Sequence, residues 1–106
     1  MKACIDSTVI ADAADSDLIT IEGNQYFPPS SLTAEAFSDS STPYTCPWKG
    51  VCQYFDVGQD AQAGKEANWS QDNAWSYPDP KPSAIDTVKK DFTNYVAFWR
   101  DVTVSE

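Results

Sequence analysis

Turn-forming residues interrupt this 106-residue chain about every 8–12 positions, and only short apolar runs lie between them. That spacing leaves no room for long helices. It admits many short strands joined by tight connections, the pattern of an antiparallel sandwich or open barrel. Residues 2–12 carry Ile5, Val9 and Ile10 around an Asp6-Ser7 turn, which predicts two short strands. Residues 13–17 (AADSD) form a polar connection. Residues 18–23 (LITIEG) predict a strand with Ile19 and Ile21 on one face and Leu18, Thr20 and Glu22 on the other. Gly23-Asn24 predicts a hairpin turn; residues 25–27 restart a strand that Pro28-Pro29 ends. Ser30 or Ser31 then predicts the cap of a short helix over 32–37, with Glu35 near its start.

In the second half, residues 38–43 (SDSSTP) read as a loop and 45–50 (TCPWKG) as a tight turn. Residues 51–57 (VCQYFDV) are the second clear strand, with Val51, Gln53, Phe55 and Val57 on one face and Cys52, Tyr54 and Asp56 on the other. Residues 58–66 carry two Gly and no large apolar residue, a hairpin loop. Two short strands flank Gln71-Asp72, and residues 78–82 (PDPKP) are stiffened by proline. Ser83 predicts a helix cap, with Asp86 completing a capping box. Ile85, Val88 and Phe92 fall on one side of that helix, and Lys89-Lys90 suit its C-terminal dipole. Residues 94–99 (NYVAFW) predict the last strong strand, and 101–104 add a short one. The expected fold is a single domain over 1–106, mostly β: one compact antiparallel β sandwich or open barrel of about seven short strands with two short helices.

The composition narrows the chemistry. Sixteen Asp and Glu against seven Lys and Arg give −9, a field that repels phosphate backbones, so nucleic acid is not an expected partner. The chain has no His, which removes Ser-His-Asp and Cys-His catalysis and His-ligated metals. No apolar run approaches the ~20 residues of a membrane span, so no membrane partner is expected. The opening MKACIDS turns polar at once, unlike a signal peptide, and a cytoplasmic location is expected. Three Cys outside a secretory context read as thiols. Aromatic residues make up 13% of the chain, and those the core cannot hold must line a cleft or the surface.

Four groups of residues are candidates for function. In CPWKG, Pro47 and Gly50 build a rigid turn that can hold the Cys46 thiol near the Lys49 ammonium. Cys46 is then a possible nucleophile and Lys49 an anion anchor; the alternative is a buried apolar Cys and a surface Lys. Glu22, at a strand end, either partners Lys49 or is solvated. Trp48, Trp75 and Tyr77, with Tyr26 and Tyr54, form either a ligand cleft or an ordinary core. Cys46 and Cys52 with Cys4 could offer three thiolates to zinc, but their spacing exceeds the close pairs of structural zinc sites, so neither metal nor cofactor is expected.

Four segments in this order, EGNQYFPP, TCPWKGVCQYFDV, AWSYPDPKP and NYVAFW, resemble the small bacterial and fungal family known as domain of unknown function 427. The likeness runs over residues 9–104. It implies a compact, mostly antiparallel β domain and no established activity. Some members carry a nucleotidyltransferase label; such enzymes hold Mg²⁺ on two or three clustered carboxylates beside a Gly-Ser turn, a pattern this sequence does not show. Many relatives have His where Gln25 stands, so the likeness implies no acid-base role there. AADSD and Cys52 look particular to this chain.

The reading that follows is a domain that binds an unknown small molecule in an aromatic-lined cleft between the CPWKG turn and the WSYP strand. Lys49 would anchor an anionic or carbonyl group, Trp48, Trp75 and Tyr77 would stack on the ligand, and Glu22 would orient it. Any chemistry would pass through Cys46. The alternative is a non-catalytic interaction or scaffold module, with a nucleotidyltransferase third.

Overall fold

The computed structural model describes residues 1–59 and 68–106. Among these residues the chain is mostly β, with nine antiparallel strands and one α-helix. The strands are β1 (Lys2–Ile5), β2 (Thr8–Asp12), β3 (Ile19–Ile21), β4 (Asn24–Tyr26), β5 (Phe37–Cys46), β6 (Gly50–Gln59), β7 (Asn68–Ser76), β8 (Val96–Phe98) and β9 (Val102–Ser105). They form three sheets, β2-β1-β9, β3-β4 and β5-β6-β7-β8, which do not close into a barrel. No described helix is long and apolar enough to cross a membrane.

The four-stranded sheet is the middle layer. Because side chains alternate along a strand, each of its strands feeds two separate cores. Phe55 and Val57 of β6, Ala74 of β7, and Val96 and Phe98 of β8 pack with Ala3, Ile5, Ile10 and Val102 of the three-stranded sheet. Cys46, Cys52, Ala97 and Tyr77 face the other way, onto Ile19, Ile21 and Tyr26 of the β3-β4 hairpin. Val51 lies beyond the first core and is 65% exposed, although it shares the face of Phe55 and Val57. Phe92 follows the helix α1 (Pro82–Val88) and is fully buried in the second core. Burying such a side chain is worth ~1.5–3 kcal/mol, so Phe92 fastens the 89–95 connection beneath the sheet.

Several local expectations give way to tertiary pairing. The predicted loop 38–43 lies within β5, a ten-residue edge strand whose pairing to β6 shifts between Asp39 and Pro43. Its turn formers are absorbed as an irregularity, since a strand's partners outweigh its weak propensity. The predicted helix over 32–37 is instead two 3₁₀ turns, Pro29–Ser31 and Ala34–Ala36, separated by Leu32 and Thr33, of which Leu32 bridges to Ala11. The two strands predicted around Gln71-Asp72 are one strand, β7, carrying an irregularity there. The β3-β4 turn is Glu22-Gly23, one residue earlier than predicted. Pro82 opens α1 behind Lys81, and no side chain caps it, so Ser83 stands inside the helix. The predicted loop 58–66 lies, after Gln59, outside the described residues.

Candidate functional site

The CPWKG segment closes the β5-β6 hairpin: Cys46 pairs with Gly50, leaving residues 47–49 as the connection. Gly50 has φ +118°, and a Cβ there would stand 3.3 Å from the Asp79 carbonyl oxygen. The proline-rich segment clamps the turn from outside. The Lys81 backbone N–H donates to the Lys49 carbonyl at 2.9 Å, and Lys81 Nζ donates to the Pro47 carbonyl at 2.8 Å. With its ends held, the connection turns Lys49 inward, where only 6% of the residue is exposed.

The ammonium meets three groups. It donates to Glu22 Oε1 in an ion pair, and it lies 5.1 Å from the Trp48 ring centroid and 5.3 Å from that of Tyr77. Cation–π attraction supports a charge placed so. Glu22 reaches it from the tight β3-β4 turn, where Glu22 and Gly23 have φ 53° and 82°. Both positions of such a turn need positive φ, which a Glu adopts only at a cost. The side chain of Glu22 is 56% exposed, so the pair has one dry end and one wet end. Burial opposes the Lys49 charge, but the Glu22 hydrogen bond and the fields of Tyr26 and Cys46 outweigh it, and the pKa lies above its ordinary value. Lys49 is therefore a charged, buried donor at neutral pH.

A cavity of about 290 Å³ opens beside it, lined by Tyr44, Lys49, Cys52, Tyr54, Trp75, Tyr77 and Trp99. Its rings brace one another: Tyr54 stacks on Trp99 at 6.2 Å and 13°, and Trp75 meets Trp99 edge-on at 5.4 Å and 71°. Polar tips are tied back into the protein. Trp75 Nε1 donates to the Tyr26 hydroxyl at 2.9 Å, and the Trp99 indole donates to the Asp72 carbonyl. The lining is therefore a set of aromatic rings with the Lys49 ammonium and the Cys52 thiol among them. Burial raises the pKa values of Tyr26, Tyr54 and Tyr77, so these phenols stay neutral.

Of the residues singled out in the sequence, Lys49, Tyr54, Trp75 and Tyr77 line this cavity. Trp48 packs against Lys49, Tyr26 stands behind Trp75, and Glu22 holds the ammonium, all outside the lining. Cys46 is buried at 5% exposure and also outside the lining. The lining thiol is Cys52, and burial, reinforced by Cys46, pushes it up to about 11 against the pull of Lys49 and a Tyr77 hydrogen bond. Tyr44 and Trp99 were not singled out. Tyr44 pairs with Cys52 across the hairpin, and Trp99 follows β8, so both reach the cavity only through sheet register. Cys4, on β1, lies across the middle sheet from Cys46 and Cys52. Among the described residues no three His, Cys, Asp or Glu side chains group to hold a metal.

No curated protein matches the chain at a significant level. A family model, by contrast, matches residues 1–106, beyond the 9–104 span of the four segments. By that match over its full length, the chain belongs to the family described as Domain of unknown function (DUF427).

Proposed function

We propose that the protein binds a small planar molecule bearing a carboxylate or carbonyl group, without covalent chemistry. One observation carries the reading: among the described residues, a buried, charged lysine is the sole charged residue lining an aromatic cavity, in a chain of net charge −9. A lysine ammonium has three N–H donors, and Glu22 takes one. The others suit an acceptor on a ligand whose flat body lies against Trp75, Tyr77 and the Tyr54-Trp99 pair. A volume of about 290 Å³ suits a small, single-ring ligand.

The same geometry weighs against thiol chemistry. A thiol titrating at about 11 is protonated at neutral pH, and the thiolate is the nucleophile. Cys46 is shut in the core. Lys49 itself is held as an ammonium, which cannot attack a carbonyl. Nucleotide transfer would need two or three grouped carboxylates for Mg²⁺, and no carboxylate is among the described residues that line this cavity.

Tryptophan fluorescence tests the reading, because Trp75 and Trp99 line the cavity. The full chain is titrated with single-ring aromatic carboxylates and with their uncharged, acceptor-free counterparts. Saturable quenching by the carboxylates alone, lost in Lys49→Met, is the expected result. Equal quenching by both series, or an undiminished response in Lys49→Met, would overturn it. A second reading, an interaction surface, draws on the exposure of Tyr44 (47%) and Trp99 (40%) at the cavity mouth. It predicts concentration-dependent association that Tyr44→Ser and Trp99→Ser abolish.

A further inference from the structure

A second unusual place lies beside the Tyr54-Trp99 wall, where two strand irregularities face each other across β6. The β5-β6 register shifts between Asp39 and Pro43, and the β6-β7 register shifts opposite Asp56. Bulges re-aim side chains, and here they gather oxygen atoms. Asp72 sits at φ 55° and is only 7% exposed. Its Oδ2 accepts from the Thr42 hydroxyl at 2.8 Å, whereas its Oδ1 is buried with no hydrogen-bond partner. Asp56 Oδ1 accepts the Asp72 backbone N–H at 3.0 Å, so a second carboxylate lies against the Asp72 backbone. The Ser40 and Thr42 hydroxyls lie 3.1 Å apart. The Asp72 carbonyl is already taken by the Trp99 indole.

A buried carboxylate oxygen without a donor is costly unless its charge is met by a cation. Arg100 does not meet it: its guanidinium lies 4.5 Å from the Trp99 ring centroid and donates to the Gln71 carbonyl.

We infer that this bulge is a binding site for a hard, oxygen-preferring cation of the calcium type, held by Asp72 Oδ1, the Asp56 carboxylate and the Thr42 and Ser40 hydroxyls. Calcium suits it better than magnesium, because calcium accepts an irregular oxygen set completed by water and magnesium demands a near-ideal octahedron. The bound ion ties β5 to β7 and steadies Trp99, and so steadies one wall of the neighbouring cavity. The inference is independent of what Lys49 binds.

Trp99 supplies the assay. Terbium, which replaces calcium at oxygen sites, emits when a nearby excited indole transfers energy to it. The full chain, freed of metal by a chelator, should give tryptophan-sensitised terbium emission that calcium displaces and magnesium displaces far less well. Calcium should also raise the melting temperature. Asp72→Asn should abolish both effects and raise the calcium-free melting temperature, since it removes a buried unpaired charge. If Asp72→Asn does not fold, Asp56→Asn should weaken terbium affinity at least tenfold. Trp99→Phe should lose most of the emission yet keep the calcium-dependent rise in melting temperature. Asp86→Asn, an exposed carboxylate on α1, should keep both. The inference is overturned by three results: no sensitised emission, an Asp72→Asn or Asp56→Asn protein that responds like the parent, or an equal loss in Asp86→Asn. The last would mark general screening of an acidic surface.

Discussion

Removing the charge of Glu22 should destabilise the protein far more than removing that of Lys49, although the two form one ion pair. The asymmetry comes from burial: the Lys49 side chain is 8% exposed and that of Glu22 56%. Glu22→Gln leaves a buried ammonium with a weaker partner, while Lys49→Met leaves a carboxylate that water can solvate. Stripping the partner from a fully buried charge costs ~3–5 kcal/mol, and an exposed pair is worth ~0–1 kcal/mol. With one end wet, Glu22→Gln falls between, at about 1–3 kcal/mol. At about 4 °C per kcal/mol for a chain of this size, the melting temperature falls by roughly 4–12 °C. Lys49→Met keeps apolar contact with the Trp48 and Tyr77 rings and costs under about 1 kcal/mol. The double variant should then match Lys49→Met and be more stable than Glu22→Gln alone. Urea unfolding at pH 7, followed by tryptophan fluorescence, measures all four corners. The raised Lys49 pKa sets the pH range. Its contribution is whole below the unfolded value of ~10.4 and is lost as pH rises through the higher folded value. The reasoning fails if Glu22→Gln unfolds within 0.5 kcal/mol (about the usual scatter for surface changes) of the parent, or if the two single effects simply add.

Gly50→Ala should lose about 1–3 kcal/mol, because alanine is strained at φ +118° and its Cβ would press within 3.3 Å of the Asp79 carbonyl; an unchanged urea midpoint would refute it. The buried Cys52 thiol predicts alkaline lability. Unfolding returns its pKa from about 11 toward 9.0, so the unfolded chain releases its proton first and stability falls across that interval. The loss amounts to about 2–3 kcal/mol, and Cys52→Ala should lack that part of the slope in urea titrations between pH 8 and 11. With a thiol reagent at pH 8, Cys4, which is only partly buried, should react well ahead of Cys46 and Cys52; early modification of either core thiol, read by peptide mass, would contradict their placement.

Much of the frame was legible in the residues. Alternation in LITIEG and VCQYFDV marked two strands, and in the first the buried and open faces follow the letters, Ile19 and Ile21 against Thr20. Pro47 and Gly50 marked the turn that holds Lys49. Legibility failed where a partner decided the outcome. SDSSTP is a run of turn formers, yet β6 pairs with it and makes it strand. Glu22 looked like a strand end, and its place in a tight turn shows only when β3 and β4 are paired. Tyr44 and Trp99 carried no signal of their own, because the cavity they wall exists only between strands.

The sequence by itself determined a mostly β domain with short strands, a stiff corner at CPWKG, and too few cations for any to be incidental when buried. These follow from local rules, the two-residue alternation of strands and the fixed φ of proline, which act within a few neighbours. Only the tertiary structure decided that Glu22, 27 positions away, neutralises Lys49, that Cys52 rather than Cys46 faces the cavity, and that Asp72 carries a buried oxygen without a donor. Those outcomes depend on strand register and on how layers stack, which are set by the joint burial of distant side chains.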